Sequence, residues 1–168
     1  MFVTCGSFMN AEANVPLKDS IKVKLNHWNR VQLDKPVSVL LFGIESTSRM
    51  HLYRSLPKSM KMMKALGFVD FTGFHSLGPS TLTNYMGFLM GLPRSVVRSG
   101  CASNWTTPYD KCPLIWNNFS NANYITAYFE DGPQSFNFFG QSGFVKQPTD
   151  YYLHPLFVAV RKFRKVGV

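Results

Sequence analysis

Val37-Ser-Val-Leu-Leu-Phe-Gly-Ile44 is the longest apolar run in the chain, and it constrains the fold more than any other feature. Its length and its β-branched and aliphatic content read as a strand buried on both faces, in the middle of a parallel sheet. It falls far short of the roughly 18 consecutive apolar residues that a bilayer-spanning helix needs, so no transmembrane segment is expected. A chain of 168 residues with 45% hydrophobic and only 16% charged residues can fill one core of ordinary size. Its 15 Phe, 7 Tyr and 3 Trp exclude a disordered polymer.

Around this run, helical and strand-like patterns alternate. Residues 1–36 read as an irregular N-terminal segment with one short, half-exposed strand, Ile21-Lys-Val-Lys-Leu25. Residues 37–168 read as an α/β domain. Leu52, Leu56, Met60, Met63 and Leu66 recur at helical intervals, with Pro57 breaking the helix and Gly67 ending it. Phe68–Phe74 alternates again and suits a second strand. Gly78-Pro-Ser-Thr81 then precedes a helix over 82–90 that Gly91 and Pro93 close. Leu114–Phe119 reads as a short helix, Asn123–Phe129 as a strand ending at Glu130-Asp-Gly-Pro133, and 155–165 as a final helix. This order predicts an α/β sandwich with a mostly parallel central sheet flanked by helices.

Lys and Arg number 18 against 9 Asp and Glu, a formal charge of +9. Lys58, Lys61 and Lys64 at helical spacing read as a solvated face. The dense block is Arg161-Lys-Phe-Arg-Lys165. No zinc-knuckle spacing or aromatic ribonucleoprotein motif accompanies it, so nucleic acid is not expected as a partner, and a basic surface-binding domain stays as one alternative.

Cys101 and Cys112 flank a polar, loop-like segment, and two glycosylation patterns lie in or near it, Asn104-Trp-Thr106 and Asn118-Phe-Ser120. Together they favour a loop-closing disulfide in an oxidising, secretory setting; the other reading is two ordinary thiols in a cytosolic protein. Cys5 is then left free, or pairs outside the chain. Met1-Phe-Val-Thr-Cys-Gly lacks the basic leader and apolar core of a signal peptide, so an extracellular protein of this sequence is expected to be missing its beginning.

Ligands of parallel sheets gather beyond the carboxyl ends of the strands. Glu45 follows the first apolar run and is placed either to bind a divalent metal or to pair with Arg49 and cap the next helix. Ser80 and Thr81 open the helix after the second strand. There a hydroxyl is either an N-cap or a nucleophile in the positive end of the helix dipole.

The stretches Val39–Leu92, Cys112–Gly132 and Gly143–Leu156 resemble, in the same order, the DUF229 family, a branch of the alkaline phosphatase–sulfatase superfamily. The resemblance implies an alkaline-phosphatase-like sandwich, here incomplete, and a divalent metal, zinc above all, acting on an anionic phosphoric or sulfuric ester. It aligns Glu45-Ser-Thr-Ser-Arg49 with the family's Asp-Ser-x-Ser-Arg, making Glu45 the replacement for a metal-binding Asp and Arg49 a phosphate contact. It aligns Gly78-Pro-Ser-Thr81 with Gly-Asp-Asn-Thr and makes Thr81 the nucleophile position. Threonine there implies phosphatase-type chemistry, since sulfatases need Cys or Ser for conversion to formylglycine. The superfamily's remaining ligands lie in a C-terminal Asp-His-Gly-like segment, and His27, His51, His75 and His154 match none of them. The expectation is a fragment or degenerate, extracellular member that binds metal weakly and is inactive as this chain. The alternative is a non-catalytic binding module.

Overall fold

The structure is a computed structural model that describes residues 2–5, 8–11, 13–31, 36–104, 106–130, 136 and 143–166. The chain divides into two compact units, one made of Met1–Leu33 with Gly78–Val168 and the other of Asp34–Leu77.

The first unit opens with an antiparallel strand pair, β1 (Phe2–Cys5) and β2 (Phe8–Ala11), in which Phe2 lies opposite Ala11 and Cys5 opposite Phe8. The expectation for the Cys5 thiol lies outside what the structure describes. Helix α1 (Asp19–Arg30) then replaces the short strand expected at 21–25. Ile21 is buried, but Val23 is 68% exposed, so the alternation of apolar residues does not correspond to two sheet faces. Lys18, Ile21, Lys24 and Trp28 share one face instead, at helical spacing, and every one of them reaches inward or across to another segment. Two of these four are lysines, which hid the helical period.

Lys24 is the centre of that face. Its ammonium donates to Asp150 Oδ2 at 2.7 Å, to the Tyr124 carbonyl at 2.8 Å and to Ser120 Oγ at 3.0 Å. Asp150 Oδ2 also accepts from the Thr126 backbone N–H at 2.8 Å and from its hydroxyl at 3.1 Å. Lys18 donates to the Asp150 carbonyl at 2.6 Å and lies over the Tyr151 ring. Trp28 Nε1 donates to the Asn123 carbonyl at 2.9 Å. Burial acts to raise the Asp150 carboxyl, but the hydrogen bonds from Lys24 and Thr126 outweigh it and hold the group below the usual carboxylate range.

Helix α4 (Thr81–Met90) buries Leu82, Met86, Leu89 and Met90 on one face and ends at Gly91, whose φ of +67° suits a residue without a Cβ. α5 (Arg94–Ser99) follows and buries Val97. A 3-10 turn over Tyr109–Lys111 and helix α6 (Ile115–Asn121) add Tyr109, Cys112, Leu114 and Trp116 to the same core. Cys101 and Cys112 form a disulfide, with Cα atoms 5.1 Å apart. Asp110 accepts from the Val145 and Lys146 backbone N–H groups at 2.9 and 2.7 Å, which ties the turn to the later chain.

Of the mostly parallel central sheet expected, the described residues form one small parallel pair, β3 (Ala127–Tyr128) against β4 (Tyr151–Tyr152), the second a strand that the sequence reading did not place. The strand expected over 123–129 is laddered at these two residues alone, because β4 gives way directly to α7 (His154–Val166). Tyr128 and Tyr152 are register partners, and their rings stack at 5.8 Å between Trp116 on one side and His154 on the other. The turn expected at 131–133 lies outside the described residues. The final helix is present.

The second unit contains α2 (Arg49–Ser55) and α3 (Pro57–Ala65), with Pro57 opening α3 where the sequence places a break and Gly67 (φ +79°) following its end. The two strands expected here are not formed: 37–44 and 68–74 carry no strand pairing. Leu40 is 87% exposed and Phe42 79%, and no described residue of 36–77 is buried. An apolar run creates a demand for burial, whereas a strand exists only where a neighbour supplies ladder hydrogen bonds. Among the described residues nothing supplies them. The Met60 and Met63 stripe is accordingly half-buried and not the core packing expected of it.

Two outcomes follow for the first unit. Asp150→Asn should lower its stability by about 2 kcal/mol at pH 7 through loss of the charge-assisted bonds, read by urea unfolding with tryptophan fluorescence. Because the folded carboxyl titrates below its unfolded value of about 3.9, the wild-type advantage should be full above that pH and vanish as pH falls further. Replacing both Cys101 and Cys112 by Ser should cost about 3 kcal/mol, from the closure entropy of a short loop, visible as a lower urea midpoint.

Candidate functional site

Glu45 and Ser46 occupy a tight turn in the second unit, and Ser46 has a φ of +55°, a left-handed conformation that a serine seldom adopts. The Thr47 hydroxyl donates to the Glu45 carbonyl at 3.1 Å. Ser48, not Glu45, caps α2: its Oγ accepts from the His51 backbone N–H at 3.1 Å. Arg49 is thereby set in the first turn of the helix.

The Arg49 guanidinium makes a two-pronged pair with Asp70, Nε donating to Oδ1 at 3.0 Å and Nη2 to Oδ2. Tyr53, one turn on, donates its hydroxyl to the same Oδ2 at 2.5 Å and lies under the guanidinium. The hydrogen bonds from Arg49 first and Tyr53 second bring the Asp70 carboxyl down to about 2, and the bond to Asp70 raises the Tyr53 phenol. The ion pair considered for Arg49 with Glu45 is therefore made with Asp70. Sequence reasoning missed Asp70 and Tyr53. The available signal was a lone carboxylate inside the otherwise uncharged Phe68–Phe74 stretch.

In the first unit the Gly78-Pro-Ser-Thr81 loop is held from within α4. Ser80 is the N-cap, its Oγ accepting from the Thr83 N–H at 3.3 Å and lying 2.8 Å from the Thr83 hydroxyl. The Asn84 carboxamide donates to the Gly78 and Ser80 carbonyls at 3.0 and 2.9 Å. Thr81 is the first helical residue and is half-buried. The capping role thus belongs to Ser80, and Thr81 has the first-turn position that the nucleophile reading requires. Glu45 and Arg49 belong to one unit and Thr81 to the other.

A pair of zinc ions needs several convergent anionic or imidazole donors. One carboxylate at Glu45 and one hydroxyl at Thr81 do not amount to such a set. Among the described residues no group of three or more His, Cys, Asp or Glu side chains is arranged to hold a metal ion. Nor is any described helix long and apolar enough to cross a membrane.

The glycosylation candidates differ in setting. Asn104 is exposed in the disulfide-closed loop, and its Oδ1 accepts from the Thr106 N–H, the Thr106 hydroxyl and the Thr107 hydroxyl. Asn118 is exposed on α6, and Ser120 two residues on receives the Lys24 ammonium.

In the first unit a parallel strand pair is set among helices, and a capped Gly-Pro-Ser-Thr loop leads into α4 with Thr81 at its start. The family model described as "Protein of unknown function (DUF229)" matches residues 7–166. The chain belongs to this family. No curated protein and no solved structure is significantly similar to it.

The loop geometry carries a direct test. A Cβ at Gly78 would stand 2.8 Å from Thr83 Cγ2, inside any real contact, and a β-branched helical side chain has few other rotamers to move to. Gly78→Ala should destabilise the unit by roughly 1–2 kcal/mol. Adding Thr83→Ser, which removes Cγ2 and keeps the hydroxyl beside Ser80, should recover most of that loss in thermal or urea melts.

Proposed function

We propose that this chain is an extracellular or secretory-pathway member of a phosphatase- and sulfatase-like lineage that does not hydrolyse esters by itself. Its membership of DUF229 supports the lineage, and the order of the Glu45-to-Arg49 and Gly78-to-Thr81 segments supports an alkaline-phosphatase-like ancestry for the strand and helix pattern. The observation that carries the inactive reading is the donor set. At the two positions that the resemblance matches, this chain offers one carboxylate, Glu45, and one hydroxyl, Thr81, and two donors do not hold the pair of metal ions that the superfamily's chemistry uses. Two further features agree with it. The Asp-to-Glu exchange at position 45 displaces the carboxylate by one methylene, and Arg49 is already neutralised by Asp70. The Cys101–Cys112 bridge supports an oxidising compartment.

Zinc titration by calorimetry and hydrolysis of 4-nitrophenyl phosphate and sulfate with added zinc would test this on the wild type, Glu45→Asp and Thr81→Ala. Wild type and Thr81→Ala should hydrolyse both esters at the same background rate. A zinc-dependent rate that drops on the order of tenfold or more in Thr81→Ala would overturn the reading and assign Thr81 as nucleophile.

A further inference from the structure

We propose that Asn104, and not Asn118, is the residue of this chain that takes an N-linked glycan. The inference rests on the secretory-pathway reading above and adds to it the choice of site. Both sequons are complete and both asparagines are exposed, so pattern and accessibility do not separate them. What separates them is the relation between the asparagine and the hydroxyl two residues later, the pair of groups that defines the motif.

At Asn104 the two groups face each other. Its Oδ1 accepts from the Thr106 hydroxyl at 2.8 Å and from the Thr106 N–H at 3.0 Å, and the Thr107 hydroxyl adds a third bond at 2.7 Å. The carboxamide oxygen is used in all three, which leaves Nδ2 outside these contacts. These bonds are local, joining residues two and three apart in sequence.

At Asn118 the two groups point apart. The residue lies inside α6, where side chains at i and i+2 do not face each other. Asn118 also gives its carbonyl to the Ala122 N–H at 3.1 Å, so the backbone is held in the helix. The Ser120 hydroxyl is half-buried and engaged by Lys24 at 3.0 Å, in the cluster that anchors α1. Presenting Asn118 and Ser120 together on one extended segment would require unwinding α6 and breaking that contact.

The modification itself transfers an oligosaccharide from a lipid-linked pyrophosphate donor, supplied by the host transferase. Asn104 Nδ2 attacks the anomeric carbon, forming the C–N bond as the carbon–oxygen bond to pyrophosphate breaks. The amide proton goes to a base of the transferase, and the lipid pyrophosphate departs with the electron pair.

The test expresses the full chain behind a cleavable secretory signal in a glycosylating eukaryotic host, as wild type, Asn104→Gln and Asn118→Gln. Medium and lysate are both read. Enzymatic deglycosylation in heavy-oxygen water converts each occupied asparagine to a labelled aspartate, located by peptide mapping. Wild type should carry the label at Asn104 alone, with one gel shift that Asn104→Gln abolishes and Asn118→Gln leaves intact. Label at Asn118, a shift that survives in Asn104→Gln, or no label at either position would overturn the proposal. Because the fused signal provides entry, such a failure reports on the sequons and leaves the compartment assignment to be judged separately.

Discussion

The ammonium of Lys24, set against the carboxylate of Asp150, is the contact on which the larger unit depends. It joins α1 to three places at once: the end of α6, the approach to β3 and the approach to β4. The same carboxylate receives both Thr126 donors just before β3, while the Asp150 backbone is held by Lys18. A parallel pair of two residues per strand has few ladder bonds of its own. Its alignment is therefore supported by side-chain hydrogen bonds at its entry and by the Trp116–Tyr128–Tyr152–His154 stack across it. Mostly buried charges are costly unless each finds partners, and here Asp150 Oδ2 accepts from Lys24 at 2.7 Å and from the two Thr126 donors at 2.8 and 3.1 Å.

The two units differ in what holds them. The larger has a continuous core, in which α4, the disulfide-closed loop and α6 pack with Phe136. In residues 36–77 the specific contacts are polar and at the surface, with Arg49, Tyr53 and Asp70 exposed. Exposed ion pairs contribute little to stability, because water solvates the separated charges nearly as well. Their effect is orientation: Arg49 is held on α2 and faces Asp70, which alters what the Glu45-to-Arg49 segment can do chemically.

The candidate site was legible in part. Ser80 and Thr81 were placed at a helix entry from Gly, Pro and hydroxyl residues alone, and the helix begins there. That succeeds because capping is a local matter of one side chain and the next turn's N–H groups. The disulfide was legible because the cysteines flank a polar loop. Asp70 and Lys24 were not, since their partners lie far along the chain and nothing in their immediate neighbourhood announces them. The reading of 21–25 as a strand failed for the same reason: a lysine that is buried through distant acceptors looks, in sequence, like the exposed half of an alternation.

Local order, then, was decided by the sequence by itself: where a helix starts at Ser80, where Pro57 divides two others, where Gly67 and Gly91 stop them, and which family the chain belongs to. These depend on backbone sterics and on hydrogen bonds within a few residues. Tertiary structure alone decided which apolar segments become strands, which charged groups are buried, and which acid Arg49 meets. Each of those needs a partner that chain spacing does not name, and the run from Val37 to Ile44 makes the distinction plain: its composition demands burial, but its conformation waits on neighbours.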